Sequence, residues 1–180
     1  DSRVSRGLGD VYKRQSKHAA MVGKFLLEQF SGIPTNVFYA SEFRYSPPPL
    51  LPNTLTIGVT QSGETADTIA AIDMEIKRRS SKEDKKFTPN LIAITNRKES
   101  SIGRQVSNII DICAGIEVGV AATKTFFGQL LSFYGLAIKF AQIKGTQSSD
   151  EINKLITELI KLPPLIAVSY THLRAHETHE

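Results

Sequence analysis

Residues 54–72 read TLTIGVTQSGETADTIAAI. The first seven are apolar or β-branched and predict a buried strand over 54–60. Beyond Thr65 the period changes. Ile69, Ile72 and Ile76 recur three and four residues apart, which predicts a helix over 65–79 with these three on its inner stripe. Between strand and helix lies a small polar corner. It offers hydroxyls from Thr60, Ser62 and Thr65, an amide from Gln61, and the flexible Gly63. In open parallel sheets, ligands bind at the carboxyl ends of strands, near a switch in strand order. The unpaired N–H groups of the following helix favour an anion there. No Lys or Arg stands in the corner, so a phosphate monoester would be held by hydrogen bonds and the helix end. Ser62 or Thr65 could equally serve only as N-caps, and spacing leaves both readings open. The GK[ST] ending of a Walker loop and the GxGxxG pattern are both absent.

Working outward, residues 16–31 predict a helix with Val22, Phe25, Leu26 and Phe30 on one face, stopped by Gly32 and Pro34. A short β-type run follows at 36–39, then a helical turn over 41–45 and a proline-rich surface loop, SPPPLLP, at 46–52. RRSSKEDKKF (78–87) mixes charges of both signs and reads as a solvated loop. Strands are expected at 90–95 and 108–113, a short helix at 100–105 and a long apolar core helix over 121–144. An amphipathic helix over 151–161 should end at Pro163 and Pro164. Apolar strands alternating with helices mean a mostly parallel sheet covered on both faces, hence one α/β domain: a three-layer αβα sandwich of the flavodoxin/Rossmann kind. Such a fold wants a strand before its first helix. DVYKRQ is a poor one, so the native first strand is expected to be missing.

The two ends share an origin. SRGLGDVYKRQ (5–15) can be back-translated so that the reverse complement, read two bases in, encodes VSYTHLRAHE, which is residues 168–177. One DNA word encoding both ends resembles a transposase-type sequencing adaptor flanking an insert. Residues 1–15 and 168–180 are therefore expected to be non-native, leaving 16–167 as the domain. His172, His176 and His179 then lose their meaning as a metal set, and no metal is expected. The net charge of +4, small and scattered, gives no ground for nucleic acid as a partner. No apolar run reaches membrane-spanning length and no signal-peptide pattern opens the chain, so no membrane is expected. Cys113 is alone; there is no disulfide framework, and a cytoplasmic location is expected.

QSGETADT (61–68), preceded by YASEFRY (39–45) and followed by GVAATKTF (119–126), resembles the first sugar-isomerase (SIS) domain of the glucosamine-6-phosphate synthases, the isomerizing glutamine–fructose-6-phosphate aminotransferases. QSGET alone would indicate only a phosphosugar-binding SIS domain. The resemblance implies binding of fructose 6-phosphate or glucosamine 6-phosphate through two turns. Thr60, Gln61, Ser62 and Thr65 match the second. Ser16 matches the last residue of the first, a CGTS turn, with Arg14 and Gln15 standing before it instead. Val120 matches a backbone contact to the sugar. It further implies a parent enzyme of amino-sugar biosynthesis with a glutaminase domain, a second SIS domain and a homodimeric assembly, and no cofactor. The family's catalytic groups lie outside this chain, so no catalytic residue is assigned and the fragment alone is expected to be inactive. The alternatives are the SIS sensor domain of a sugar-phosphate-responsive transcription regulator and a stand-alone phosphosugar isomerase.

Other residues carry weaker readings. Glu64 could be a base, but its place at a helix start favours a dipole-stabilising role. His18 could be a general base but reads as a packing residue beside the site, Lys124 could equally attract phosphate or be a helix-start surface lysine, and Cys113 reads as inert at the end of a buried strand. By resemblance only, Glu42 and Arg44 would pair across an interface.

Overall fold

A computed structural model of the chain describes residues 15–117 and 122–173, with side chains to 167. Leu55–Val59, half-buried apart from the buried Gly58, forms β1, Asn90–Thr95 forms β2 and Asn108–Asp111 forms β3. All pair in parallel in the order β1-β2-β3, with Ile57 beside Ile92 and Ile94 beside Ile110. The helices, in chain order, are α1 (Gln15–Ser31), α2 (Ala40–Tyr45), α3 (Ala66–Ser80), α4 (Ser101–Gln105), α5 (Thr123–Lys144), α6 (Ser149–Ile160) and α7 (Leu162–Leu173), with a 3₁₀ turn at Lys85–Phe87.

Side chains alternate across a strand, so the sheet supplies two faces. On one, Ile94 packs with Ala19, Leu26 and Leu27 of α1 and Phe133 and Ala137 of α5, joined by Ile57, Val59 and Ile110. On the other, Leu91 and Ala93 meet Ile72 of α3 and Ile102 of α4. The three-layer αβα sandwich is thus built, with Ile69, Ile72 and Ile76 inward as the period demanded. The buried residues of α5 include Thr125, Gln129, Phe133, Ala137 and Ala141, a stripe stepping by four. Gly23 lets α1 and α5 touch: a Cβ there would lie 2.3 Å from the Phe133 ring.

Several expectations need correction. On α1, Leu26 is inward and Phe30 is partly buried, but Val22 and Phe25 face outward, with Phe25 61% exposed. The true inner stripe runs through Ala19, Gly23, Leu26 and Leu27, because small residues are needed where α5 approaches. Residues 36–39 are not assigned to a strand. Arg78 and Arg79 belong to α3 rather than a solvated loop, and Arg79 is buried. Its Nε meets Glu75 Oε1 at 2.7 Å, Arg78 Nη1 meets Glu75 Oε2 at 3.1 Å, and the two guanidiniums donate to Leu51 O and Pro48 O. These bonds tie the proline-rich loop to the helix. β3 stops at Asp111, and Cys113 lies beyond it, exposed, at φ 55°. Pro163 and Pro164 do not terminate helical structure. They sit in the first turn of α7, where a missing N–H costs nothing.

Candidate functional site

The corner forms because β1 ends at Val59 while the sheet still grips the chain beyond it. Thr60 N–H donates to Ile94 O at 3.1 Å, and Gln61 O accepts from Asn96 N–H at 3.1 Å. The turn then reverses through Gly63 at φ +70°, a conformation open to glycine at no steric cost. Gly63 O accepts from Ile102 N–H, locking the turn to α4. Thr60 is buried; its Oγ1 accepts from Gly63 N–H at 3.3 Å and lies 3.0 Å from Thr65 Oγ1. Ser62 Oγ accepts from Glu64 N–H at 3.2 Å.

Thr65 is the N-cap of α3, yet neither it nor another side chain caps the helix. The first intrahelical bond runs from Ile69 N–H to Thr65 O, so the donors of Ala66, Asp67 and Thr68 are left to solvent or a ligand. The one acidic side chain in that first turn, Asp67, is held by Arg44 Nη1 at 2.7 Å. Arg44 thus has a partner within the chain.

Ser16 lies at the same edge. α1 and α5 run parallel, with Gln129 Nε2 donating to Ser16 Oγ at 2.9 Å at one end and Thr146 Oγ1 donating to Phe30 O at 2.6 Å at the other. Both helices therefore begin at the carboxyl edge of the sheet. The described contacts bring Thr60, Gln61, Ser62 and Thr65 into one turn and place Ser16 on that edge, without a direct bond between them. Val120 lies outside the described residues.

The carboxylates around this edge are all engaged. Glu64 Oε1 accepts from Ser101 N–H at 2.8 Å, so it caps α4 rather than its own helix. Hydrogen bonds from Ser101 hold its carboxyl below the usual range. The Cys113 N–H and then Lys98 do the same for Asp111. Thr125, through its hydroxyl and its N–H, does so for Glu117. His18 is exposed on the first turns of α1. Lys124 Nζ donates to Ile116 O at 2.7 Å. Among the described residues no group of His, Cys, Asp or Glu could hold a metal, and no helix is long and apolar enough to cross a membrane. Two concavities lie elsewhere. One of about 440 Å³ is lined by Leu50, Arg78 and Phe87; one of about 350 Å³ sits at the amino ends of the strands beside Thr54, Asn90 and Asn108. Neither gathers hydroxyls and helix donors as the corner does.

Sequence reading missed Gln129 and the Arg44–Asp67 pair. Gln129 had a signal: a buried polar residue on an i, i+4 stripe of α5 needs a partner. Its Oε1 has none among the described residues.

Residues 13–139 match the SIS domain family. The isomerizing glutamine–fructose-6-phosphate aminotransferase of Thermosynechococcus vestitus is 58% identical over 148 residues, covering 82% of this chain and 24% of that protein. Its counterpart from Synechocystis is 56% identical over 151 residues, covering 84% and 24%. The C-terminal domain of glucosamine-fructose-6-phosphate aminotransferase from Francisella tularensis superposes with a TM-score of 0.76 at 27% identity, over 89% of this chain and 46% of that one. The chain thus spans about a quarter of the length of these two curated relatives. A parallel sheet between two helical layers, and a match running from α1 through most of α5, place the chain in the SIS domain family.

Proposed function

We propose that the 60–65 corner binds the phosphate of fructose 6-phosphate or glucosamine 6-phosphate, and that the chain is the first SIS domain of an isomerizing glutamine–fructose-6-phosphate aminotransferase. The observation that carries the reading is the uncapped start of α3, ringed by hydroxyls, with its one carboxylate neutralised by Arg44. Thr60 Oγ1 accepts from Gly63 N–H and shares a hydrogen bond with Thr65 Oγ1 in which either hydroxyl can donate. With a phosphate bound, the arrangement in which Thr60 donates to Thr65 directs the Thr65 proton to a phosphate oxygen. The chain N–H to hydroxyl to hydroxyl to phosphate polarises each link in turn. Ser62 accepts from Glu64 N–H and has its proton free in the same way. Thr60 braces, Ser62 and Thr65 touch the ligand, the Gln61 amide reaches a sugar hydroxyl, and Ser16, oriented by Gln129, approaches from α1. Val120 completes the sugar contact through its backbone.

Binding rather than proton transfer fits the carboxylates, since each is held ionised by hydrogen bonds and is a weak base near pH 7. In the parent, the glutaminase domain and second SIS domain would supply the chemistry, within a cytoplasmic homodimer. Identity above 50% to aminotransferases supports this parent.

Calorimetric titration of fructose 6-phosphate into the chain tests the site. Ser62→Ala and Thr65→Ala should each weaken binding by about 1.5–3 kcal/mol, the worth of a hydrogen bond to a charged group. Unchanged affinity in both variants refutes the assignment.

A further inference from the structure

Asn96 is the first residue beyond β2, the middle strand, and it grips the exits of both neighbouring strands. Its backbone N–H donates to Gln61 O of the corner at 3.1 Å, beside the Thr95 hydroxyl, which donates to the same oxygen at 3.3 Å. Its side chain reaches the other way. Oδ1 accepts from Ala114 N–H at 2.9 Å and Nδ2 donates to Gly115 O at 2.7 Å. A side-chain amide carries an acceptor and a donor on adjacent atoms, so it can hold a backbone N–H and a backbone C=O together. A carboxylate in its place would meet Gly115 O with a second acceptor.

The segment held in this way has no other such tie to the rest of the fold. The sheet ladder ends where Ile112 N–H donates to Thr95 O at 3.1 Å. Cys113 and Gly115 then take left-handed φ values of 55° and 65° and turn the chain off the strand. Cys113 N–H donates back to Asp111 of β3, while Ile116 O and the Glu117 carboxylate are held from α5 by Lys124 and Thr125. Among the described residues, only Asn96 hydrogen-bonds residues 113–117 from outside β3, the loop itself and α5.

The grip lies where a ligand would pass. The corner leads into α3 on one face of the sheet, and Ser16 stands at the start of α1 on the other. A ligand that meets both crosses the carboxyl edge from one helical layer to the other. The 112–117 loop leaves that same edge for α5, which lies in the Ser16 layer and bonds Ser16 through Gln129. With a phosphate at the start of α3, the rest of the ligand therefore extends toward this loop.

We propose that Asn96 is a positioning residue for the sugar end of the ligand: it sets the 112–117 loop against the corner and does not touch the phosphate. The proposal rests on reading the 60–65 corner as the phosphate site. Acting through the loop, Asn96 governs how far a sugar phosphate is preferred over phosphate alone.

Calorimetry on the whole chain compares fructose 6-phosphate with inorganic phosphate. Asn96→Ala keeps the backbone bond to Gln61 and removes only the grip on the loop. It should weaken fructose 6-phosphate about tenfold and leave inorganic phosphate within about twofold. Amide exchange in the unsubstituted chain gives an independent reading. Saturating fructose 6-phosphate should slow the Ala114 amide about fivefold, and saturating inorganic phosphate should leave it unchanged. Equal losses for the two ligands in Asn96→Ala, or no loss for either, overturn the proposal while the phosphate site stands. So does an Ala114 amide indifferent to fructose 6-phosphate, which decides the matter if Asn96→Ala does not fold. An unsubstituted chain that binds neither ligand refutes the corner itself, and the proposal with it.

Discussion

Gly63→Ala tests whether the corner is as tightly determined as its contacts imply. At φ +70° an L-residue carries a left-handed penalty of about 1–2 kcal/mol. The added methyl would also lie 2.0 Å from Ser100 Oγ and 2.3 Å from Ser100 Cβ. Ser100 has little freedom to yield: it is 4% exposed and its hydroxyl donates to Arg97 O at 2.6 Å. Forcing such a contact costs about 1–3 kcal/mol. The stiffer unfolded chain returns about 0.4–1 kcal/mol, for a net loss of roughly 2–4 kcal/mol. Urea unfolding followed by circular dichroism should show the midpoint falling by about 1–2 M at unchanged slope. Ser100→Gly separates the two causes, since it removes the atoms struck and leaves the backbone strain. The double variant should recover about 1–3 kcal/mol relative to additivity. A Gly63→Ala protein within about 0.5 kcal/mol of the parent, or strict additivity with Ser100→Gly, would refute the account.

Three more outcomes are expected. Arg44→Ala should weaken fructose 6-phosphate binding severalfold by leaving the Asp67 carboxylate unpaired at the start of α3, Asp67→Asn in the same background should restore it, and stability should move by no more than about 1 kcal/mol because the pair is partly exposed. Arg79→Ala should lower unfolding stability by about 1–3 kcal/mol, since it leaves the buried Glu75 Oε1 without its partner while Arg78 still holds Oε2, and frees Leu51 O. The Glu64 carboxyl is depressed by its bonds to Ser101, so its contribution is present above the unfolded value of about 4.3 and is lost as pH falls through the folded one. Melting temperature between pH 6 and pH 3 should consequently fall less in Glu64→Gln than in the parent, and equal slopes would remove Glu64 as the cap of α4.

The alternation of strands and helices was legible because each strand is a continuous apolar run and each crossover has its own period. The inner face of α1 was not. Apolar residues surround that helix, and only the close approach of Phe133 to Gly23 decides which of them turn inward. Residues 36–39 have strand composition without a strand, since a ladder needs a neighbour that propensity cannot supply. At the site, the hydroxyl-rich turn could be read directly. Its supports could not: Gln129 lies 113 residues from Ser16 and Asp67 lies 23 from Arg44, and only the folded chain brings them together.

If the corner holds a phosphate as proposed, the division of labour inside it accounts for the lack of a lysine or arginine there. A cation beside a dianion holds it tightly. A helix end and a few hydroxyls hold it through bonds that water can replace, which suits a ligand that must leave. Such a site works only if its donors are already aimed, because each would otherwise lose freedom on binding. In the proposed site the aiming would be done by bonds within the protein: Gly63 N–H to Thr60, Glu64 N–H to Ser62, Ile102 N–H to Gly63 O and Ser101 N–H to Glu64. Two charged groups beside the proposed site are engaged elsewhere in the same way. Glu64 accepts from the next helix and Arg44 is used on Asp67, so the start of α3 carries no unpaired carboxylate to oppose a phosphate.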